Sequence, residues 1–262
     1  MSPSAPADHP LRAKLAAGHP IAGIWSVITS AQLTGTLAAA GFDFVILDCE
    51  HGGYDFATLE ASITSCEEGG ASPLVRAPGA DAFFIQRVLD LGAHGVVVPQ
   101  IADAAAADRA VRMAHCAPGG TRGYNPFTRG GHYGIAPQPK LVPGYPFTGV
   151  LVESPEAGRA LERIVEIPVL DLVYLGIFDY SVALGVPGQV DDPRVQAFIA
   201  RAAKIVRDAG KAVGTTAMSE AQTRRLTDLG VNVLLYGADT WLVGQAATSG
   251  LDLYRRFGWG AQ

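Results

Sequence analysis

Residues 37–48, LAAAGFDFVILD, contain the pattern that decides the fold. A helical run of small apolar residues ends at Gly41, and a short apolar strand begins within a few residues. Glycine just past a helix can adopt the left-handed conformation that closes the helix. A near-continuous apolar and β-branched run is typical of a parallel strand that is covered on both faces. The stretch therefore predicts one helix-to-strand unit of an α/β fold.

The same unit recurs in VLDLGAHGVVVPQ (88–100), IVRDAGKAVGTTA (205–217) and LTDLGVNVLLYG (226–237). Extended along the chain, the pattern predicts strands near residues 21–28, 43–48, 73–77, 95–99, 148–153, 171–176, 212–216 and 231–236. Eight strand–helix units in about 250 residues have the size and rhythm of a (β/α)8 TIM barrel. A doubly wound open sheet is the alternative.

The chain has no low-complexity linker, so we expect one domain. We assign residues 1–18 to a flexible leader and residues 19–262 to the barrel. The segment 117–146 is crowded with Gly, Pro and aromatic residues, and a connection that long is usually functional, so we expect it to lie over the mouth of the barrel as a lid. The apolar and aromatic tail 251–262 is expected to pack on a neighbouring subunit.

The composition excludes several classes of protein. A hydrophobic fraction of 48% with 17% charged residues indicates a compact globular chain. No apolar run reaches the roughly 18 residues of a membrane span, and the first residues lack the features of a signal peptide. A cytoplasmic location is therefore expected. The net charge of −5 argues against nucleic acid as a partner, and three scattered cysteines do not form a disulfide framework. A small-molecule partner remains.

Barrel enzymes carry their chemistry at the C-terminal ends of the strands. Here the predicted strands end in polar side chains, which are Asp48, Glu50 and His51 after the second, Arg76 after the third, Gln100 after the fourth, Glu153 after the fifth and Asp179 after the sixth. The apolar run of residues 44–47 is thus barrel wall, and the polar cluster that follows is its rim. No lysine follows a predicted strand, which disfavours a Schiff-base mechanism.

Two of these carboxylates point to a metal site. Ser154 and Pro155 already provide the cap and first turn of the next helix, so Glu153 is not needed for capping. Asp179 alone is equally well explained as a cap or turn residue. Facing each other over an apolar mouth, however, the two would repel unless a cation joined them, and oxygen ligands suit Mg²⁺ or Mn²⁺, with Co²⁺ left open. No His/Cys cluster has zinc spacing.

His51 and Arg76 each have a structural and a functional interpretation. His51 is either a hydrogen-bonded structural residue or a general base whose tautomer and basicity are set by Asp48, three positions earlier. Arg76 is a permanent cation at the end of a buried strand and needs an anionic partner. That partner is either Asp48 or Glu50 in an ion pair, or a developing oxyanion on a substrate.

Taken together, these stretches resemble the HpcH/HpaI aldolase family of metal-dependent, pyruvate-specific class II aldolases. The pieces that carry the resemblance occur in the family's order between about residues 20 and 245, and they are GFDFVILDCEH, PLVRAPG, GAHGVVVPQ, GGTRGY, VLVESPEA and YLGIFDYSVALG. No single piece is decisive, but the ordered set is specific.

The resemblance implies roles for the rim residues. Glu153 and Asp179 look like the metal ligands, His51 with Asp48 like the base dyad, and Arg76 like the residue that stabilises the enolate. The family is typically hexameric and exchanges C-terminal helices between neighbours, and the aromatic tail fits that arrangement.

Five further positions belong to the expected site. Asp90 lies where the family has an acidic residue near a subunit boundary, and we include it among the catalytic candidates. We expect Gly176, Ile177 and Phe178 to bind the substrate carboxylate through backbone N–H groups. Arg122, in GGTRGY, is a second candidate for substrate binding.

The chain also departs from the family pattern at two places. Ile177 and Phe178 stand where the family commonly has Pro and a small or amide residue, and Leu151 stands where Gln is common. Both departures make the expected pocket more apolar, which bears on the preferred 2-oxo acid.

The expected function is reversible aldol cleavage of 4-hydroxy-2-oxo acids to pyruvate, or a close 2-oxo acid, and an aldehyde, through a metal-stabilised enolate. The alternatives are an oxaloacetate decarboxylase, a CoA-ester lyase, or a non-catalytic barrel that binds pyruvate. A CoA enzyme would show basic residues at the rim for the nucleotide phosphates, and few are visible.

Overall fold

The computed structural model describes residues 9–135 and 146–259. Within them, eight parallel strands hydrogen-bond in sequence order and close into a barrel, which confirms the predicted (β/α)8 TIM barrel. The strands are β1 Ile21–Ser26, β2 Phe44–Asp48, β3 Ser72–Arg76, β4 Gly95–Val98, β5 Phe147–Val152, β6 Leu172–Leu175, β7 Ala212–Thr216 and β8 Val233–Ala238.

The helices follow the strands around the outside of the barrel. They are α1 Pro10–Ala16, α2 Ala31–Ala39, α3 Phe56–Glu68, α4 Ala82–Asp90, α5 Ala104–Ala114, α6 Pro155–Arg159, α7 Leu161–Ile164, α8 Ile177–Ala183, α9 Pro193–Asp208, α10 Glu220–Asp228 and α11 Asp239–Arg255, with a 3₁₀ helix at Arg129–Gly134. As predicted, the glycines that close the repeated unit have positive φ, and these are Gly41, Gly92, Gly210 and Gly230. None of these helices combines the length and the apolar character that a membrane span requires.

The alternation of side chains along β2 explains how an apolar strand ends in a polar site. Phe44 and Ile46 belong to the core inside the barrel, whereas Val45 and Leu47 belong to the core between strands and helices. Successive side chains of a strand point to opposite faces. Asp48 therefore shares the inward face with Phe44 and Ile46, and it lies at the mouth, the end of the barrel where the strands finish.

The N-terminal residues correct the predicted flexible leader. Helix α1 lies within it, and Leu11 is 1% exposed in the core at the N-terminal face of the barrel. Arg12 Nε and Nη2 donate to the two carboxylate oxygens of Asp171 at 2.6 and 2.8 Å. Residues 9–18 are thus part of the folded barrel, and residues 1–8 lie outside the described residues.

The predicted lid is also wrong for the part that the structure describes. Residues 117–135 follow the end of α5 in the connection to β5, and the end of α5 and the start of β5 both lie at the N-terminal face, opposite the mouth. The N–H of Thr121 donates to the carbonyl of Arg112 near the end of α5, and Arg129 pairs with Glu67 at the end of α3. Residues 136–145 of the predicted lid lie outside the described residues.

Helix α11 leaves the barrel with a largely exposed surface. Its buried residue is Asp239, whereas Leu253, Tyr254, Phe257 and Trp259 in and after its last turns are each more than half exposed. Packing of this tail on a neighbouring subunit therefore stays a prediction.

The N-cap of α1 makes a testable link between pH and stability. His9 Nδ1 accepts from the N–H of Leu11 while Nε2 lies 3.0 Å from the carbonyl of His94, so the contact with Leu11 needs the neutral imidazole with its proton on Nε2. Burial, and then the charge of Arg12, lower the pKa of His9 from its ordinary 6.5 to about 4. Between these values the unfolded chain binds the proton first, so stability falls as the pH decreases.

We predict that His9→Asn, which keeps a good cap, removes part of this pH dependence. Between pH 6.5 and pH 4, the free energy of unfolding of the wild type should decrease by on the order of 3 kcal/mol more than that of the variant. Urea unfolding across this range measures both proteins. Parallel curves for wild type and variant would contradict the assignment.

Candidate active site

The central contact of the mouth joins the ends of two neighbouring strands. Asp48 and Arg76 are register partners on β2 and β3, and Arg76 donates through Nε and Nη2 to the two Asp48 oxygens at 2.8 and 2.5 Å. The Asp48 side chain is 1% exposed and that of Arg76 11%. A bidentate pair of this kind is fixed in both distance and plane.

Arg76 has a second carboxylate and an aromatic face around it. Its Nη1 lies 3.2 Å from Glu50 Oε2, and its guanidinium carbon lies 4.4 Å from the centre of the Trp25 ring. Burial alone would lower the pKa of Arg76, but Asp48 and Glu50 outweigh it and raise the pKa. The ion pair, one of the two interpretations of Arg76 that the sequence left open, is therefore present with both candidate partners.

Two aromatic side chains and a threonine pack beneath Arg76 inside the barrel. The Trp25 ring packs edge-on against Tyr174 at 5.4 Å, and the Tyr174 hydroxyl lies 2.6 Å from Thr216 Oγ1. Burial raises the pKa of Tyr174, so the hydroxyl stays protonated. The sequence reasoning missed Trp25 and Tyr174, although each stands on the inward face near the end of its strand.

Glu153 lies directly after β5 in a tightly fitted position. Its Oε1 accepts from the N–H of Gln100 at 2.6 Å. A Cβ on Gly176 would lie 2.6 Å from Glu153 Cβ and 3.0 Å from Oε2, so only glycine fits there. Burial, together with the charges of Asp179 and Glu50, raises the pKa of Glu153.

Asp179 occupies a different element from the one predicted. Strand β6 ends at Leu175, and Asp179 lies in the first turn of α8 rather than at the end of the strand. Its carboxylate still acts on Glu153, whose pKa it raises. Within the described residues, no hydrogen bond or salt bridge neutralises Asp179. The two predicted ligands are thus brought together as like charges.

This donor set fits a hard divalent cation. No group of three or more His, Cys, Asp or Glu side chains in residues 9–135 and 146–259 is arranged to hold a metal. Two carboxylates suffice for Mg²⁺ or Mn²⁺, which keep several positions for water and substrate. A cation would also relieve the repulsion that raises the pKa of Glu153.

The predicted base dyad is not formed through Asp48. That carboxylate accepts from Arg76 and from the backbone N–H groups of Glu50 and His51, at 3.0 and 3.2 Å. The carboxylate that faces the His51 ring is that of Glu50, with Nε2 3.9 Å from Oε2. The His51 side chain is 64% exposed at the mouth. Asp48 therefore holds the loop that carries His51 rather than the imidazole itself.

The expected carboxylate-binding turn begins α8. The N–H of Gly176 already donates to the carbonyl of Val152 at 3.1 Å. Ile177 and Phe178 are the first residues of the helix, where backbone N–H groups have no acceptor within the helix. Ile177 is buried and Phe178 is 45% exposed, so Phe178 presents an apolar ring to solvent.

Arg122 and Asp90 lie together, but away from the mouth. Arg122 Nη2 donates to Asp90 Oδ1 at 2.7 Å, and Asp90 is the last residue of α4, at the N-terminal face. The predicted substrate contact of Arg122 is therefore not formed at the mouth of its own chain. A role for Asp90 near a subunit boundary stays a prediction.

The sequence matches one family model over residues 22–246, that of the HpcH/HpaI aldolase/citrate lyase family. The chain belongs to this family. The 4-hydroxy-2-oxo-heptane-1,7-dioate aldolase of Shigella sonnei is 31% identical over 258 residues, which cover 96% of this chain and 95% of the relative. The hydroxypyruvate/pyruvate aldolase of Delftia acidovorans is 30% identical, with 94% and 93% covered.

A solved structure gives the same result at the level of the fold. An HpcH/HpaI aldolase/citrate lyase family protein from Burkholderia cenocepacia superposes with a TM-score of 0.85 at 27% identity, covering 90% of this chain and 95% of the other. Membership of the HpcH/HpaI family makes this chain an aldolase or lyase. A more detailed assignment of the reaction rests on the residues of the mouth.

The burial of these carboxylates predicts opposite effects of neutralising them in this HpcH/HpaI family member. Asp48→Asn takes one of two anions from a buried arginine and should cost about 3 kcal/mol of stability. Glu153→Gln removes a charge that burial and Asp179 disfavour, so stability should be unchanged or higher by up to about 1 kcal/mol. Urea unfolding in EDTA measures both. Equal losses in the two variants would contradict this division.

Proposed function

We propose that the protein is a divalent-metal-dependent aldolase that reversibly cleaves 4-hydroxy-2-oxo acids into pyruvate, or a close 2-oxo acid, and an aldehyde. The observation that carries the proposal is the juxtaposition of two carboxylates, Glu153 and Asp179, that form no salt bridge within the described residues, with the buried cation Arg76 at the same end of the barrel. The aldolase relatives support the same reaction class.

Glu153 and Asp179 would hold Mg²⁺, Mn²⁺ or Co²⁺, and the cation would act as a Lewis acid that polarises the 2-oxo group and acidifies C3. The first N–H groups of α8, from Ile177 and Phe178, would donate hydrogen bonds to the substrate carboxylate. The side chain of Leu151, on the inward face of β5, would lie against the remainder of a small donor, whereas that of Ile177 packs in the core between strands and helices.

The chain's own groups account for the proton transfers. In cleavage, His51 removes the proton of the C4 hydroxyl, the C3–C4 bond breaks, and the electron pair moves into an enolate. Arg76 lies beside the developing oxyanion and stabilises it. His51, which now carries the proton from the C4 hydroxyl, protonates C3 and so gives the methyl group of pyruvate. Synthesis runs these steps in reverse, with His51 as the base that removes the methyl proton.

Exchange of pyruvate methyl protons for deuterium, followed by NMR, tests this proposal without knowledge of the aldehyde. Exchange should be absent in EDTA, restored by Mg²⁺ or Mn²⁺, and lowered by roughly 10²-fold or more in His51→Ala. His19→Ala replaces an exposed histidine at the N-terminal face and should exchange at the wild-type rate.

The exchange experiment, together with assays of oxaloacetate decarboxylation and of aldehyde condensation, separates the alternatives. A non-catalytic barrel would bind pyruvate without exchange under any metal. A CoA-ester lyase would leave pyruvate unexchanged, and an oxaloacetate decarboxylase without aldol activity would form pyruvate from oxaloacetate but would not condense it with aldehydes. Any of these outcomes would overturn the aldolase assignment.

The role of Arg76 can be separated from its structural ion pair. Arg76→Ala should lower the exchange rate by roughly 10² to 10³, the usual effect of losing one oxyanion donor. Arg76→Lys keeps a cation beside Asp48 but loses the bidentate geometry, and it should fold while remaining at least 10-fold slower. The ratio of kcat to KM for aldol cleavage is the second measurement. Wild-type exchange in folded Arg76→Lys would contradict a role for the guanidinium geometry.

A further inference from the structure

One residue at the mouth contacts both Glu50, which pairs with Arg76, and Glu153, a proposed metal ligand. Gln100 follows β4 and Pro99, and its backbone N–H donates to Glu153 Oε1 at 2.6 Å. Its side-chain Nε2 donates to Glu50 Oε1 at 2.9 Å. Two carboxylates that would otherwise only repel each other are therefore joined through a single donor residue.

The backbone of Gln100 is held in an unusual conformation to make these contacts. Its φ is +58°, in the left-handed region that residues with a Cβ rarely adopt. This turn points the N–H of Gln100 back toward the end of β5, where Glu153 begins the next connection. Strained backbone of this kind persists where the surrounding structure requires it, and it is common at functional sites.

The bridge continues on both sides. Glu50 Oε2 lies 3.2 Å from Arg76 Nη1, so Gln100 and Arg76 hold the two oxygens of the same carboxylate. On the other side, Glu153 Oε1 is occupied by the Gln100 N–H, and no hydrogen bond to Oε2 occurs within the described residues. One edge of the Glu153 carboxylate is thereby fixed while the other stays available.

We propose that Gln100 is a positioning residue that orients Glu153 for the cation and connects it through Glu50 to Arg76. This inference rests on the proposed function, because it assigns to Glu153 the role of a metal ligand. Gln100 itself touches neither metal nor substrate in this account. Its function is to keep the ligand and the oxyanion-stabilising arginine at a fixed separation.

Two substitutions remove the amide that binds Glu50, and both retain the backbone N–H that donates to Glu153. Gln100→Ala removes the amide and retains a Cβ in the left-handed turn. Gln100→Gly also removes the amide, but glycine adopts a φ of +58° without strain, so this variant keeps the turn and guards against a folding defect. Gln196→Ala is the matched control, since Gln196 donates to the carbonyl of Val190 on the outer helix layer.

The primary measurement is the affinity for Mn²⁺ in the absence of substrate, by electron paramagnetic resonance. Without the amide, the turn is no longer tied to Glu50, and the N–H that orients Glu153 loses its anchor. Loss of an outer partner of a metal ligand typically weakens binding 10- to 100-fold, and because the N–H itself remains we expect a loss of about 10-fold for Gln100→Ala and Gln100→Gly. Gln196→Ala should bind like wild type. In exchange assays, both Gln100 variants should recover part of their rate at high Mn²⁺, unlike His51→Ala. Wild-type Mn²⁺ affinity in either Gln100 variant would overturn the proposal.

A metal-free crystal structure keeps this test distinct from that of the proposed function. If wild type binds no Mn²⁺, the metal-dependent aldolase fails, yet the position of the Glu153 carboxylate in Gln100→Ala still reports on the bridge. Displacement of that carboxylate, or of Glu50, relative to wild type would support the positioning role. Unchanged positions of both would overturn it.

Discussion

The bidentate pair between Asp48 and Arg76 is the contact on which the rest of the mouth depends. It joins register partners at the ends of β2 and β3, on the inward face that Phe44, Ile46 and Leu74 fill below. A buried arginine and a buried aspartate are each costly alone, so the pair fixes both strand ends at once. Asp48 also accepts the N–H groups of Glu50 and His51. The loop that carries the remaining groups is therefore built outward from this ion pair.

The mouth carries more carboxylates than cations, and packing does not require this excess of negative charge. Arg76 neutralises Asp48 and contacts Glu50, whereas Glu153 and Asp179 share no cation within the described residues. Burial and these neighbours raise the pKa of Glu153, which means that its ionised form is held at a cost to the fold. Such a cost is typical of a site that completes its charge by binding. The ion-paired residues Asp48, Arg76 and Glu50 are thus stable by themselves, whereas Glu153 and Asp179 keep a charge that a bound cation would neutralise.

Much of the fold was predictable because it follows local rules. Helix, glycine and buried strand recur at short spacing, and the barrel and its polar rim follow from that pattern. Two errors have physical reasons. Residues 117–135 follow a helix and precede a strand, so chain direction alone places them opposite the mouth, and composition misled the lid interpretation. Helix α1 was missed because His9 is an unusual N-cap and the seven-residue helix depends on burial of Leu11 and the Arg12 contact with Asp171.

The details of the site were less predictable because they arise between residues distant in the chain. Spacing suggested that Asp48 serves His51, but alternation along β2 points Asp48 inward to Arg76 while His51 remains on the rim. The contacts of Gln100 span 50 and 53 positions and need a left-handed turn that no local sequence signal announces. The sequence pattern can therefore predict which polar residues lie at strand ends, because each strand end is determined by residues close to it in the chain. Their pairing is a property of the closed barrel, because only closure brings those ends around one axis.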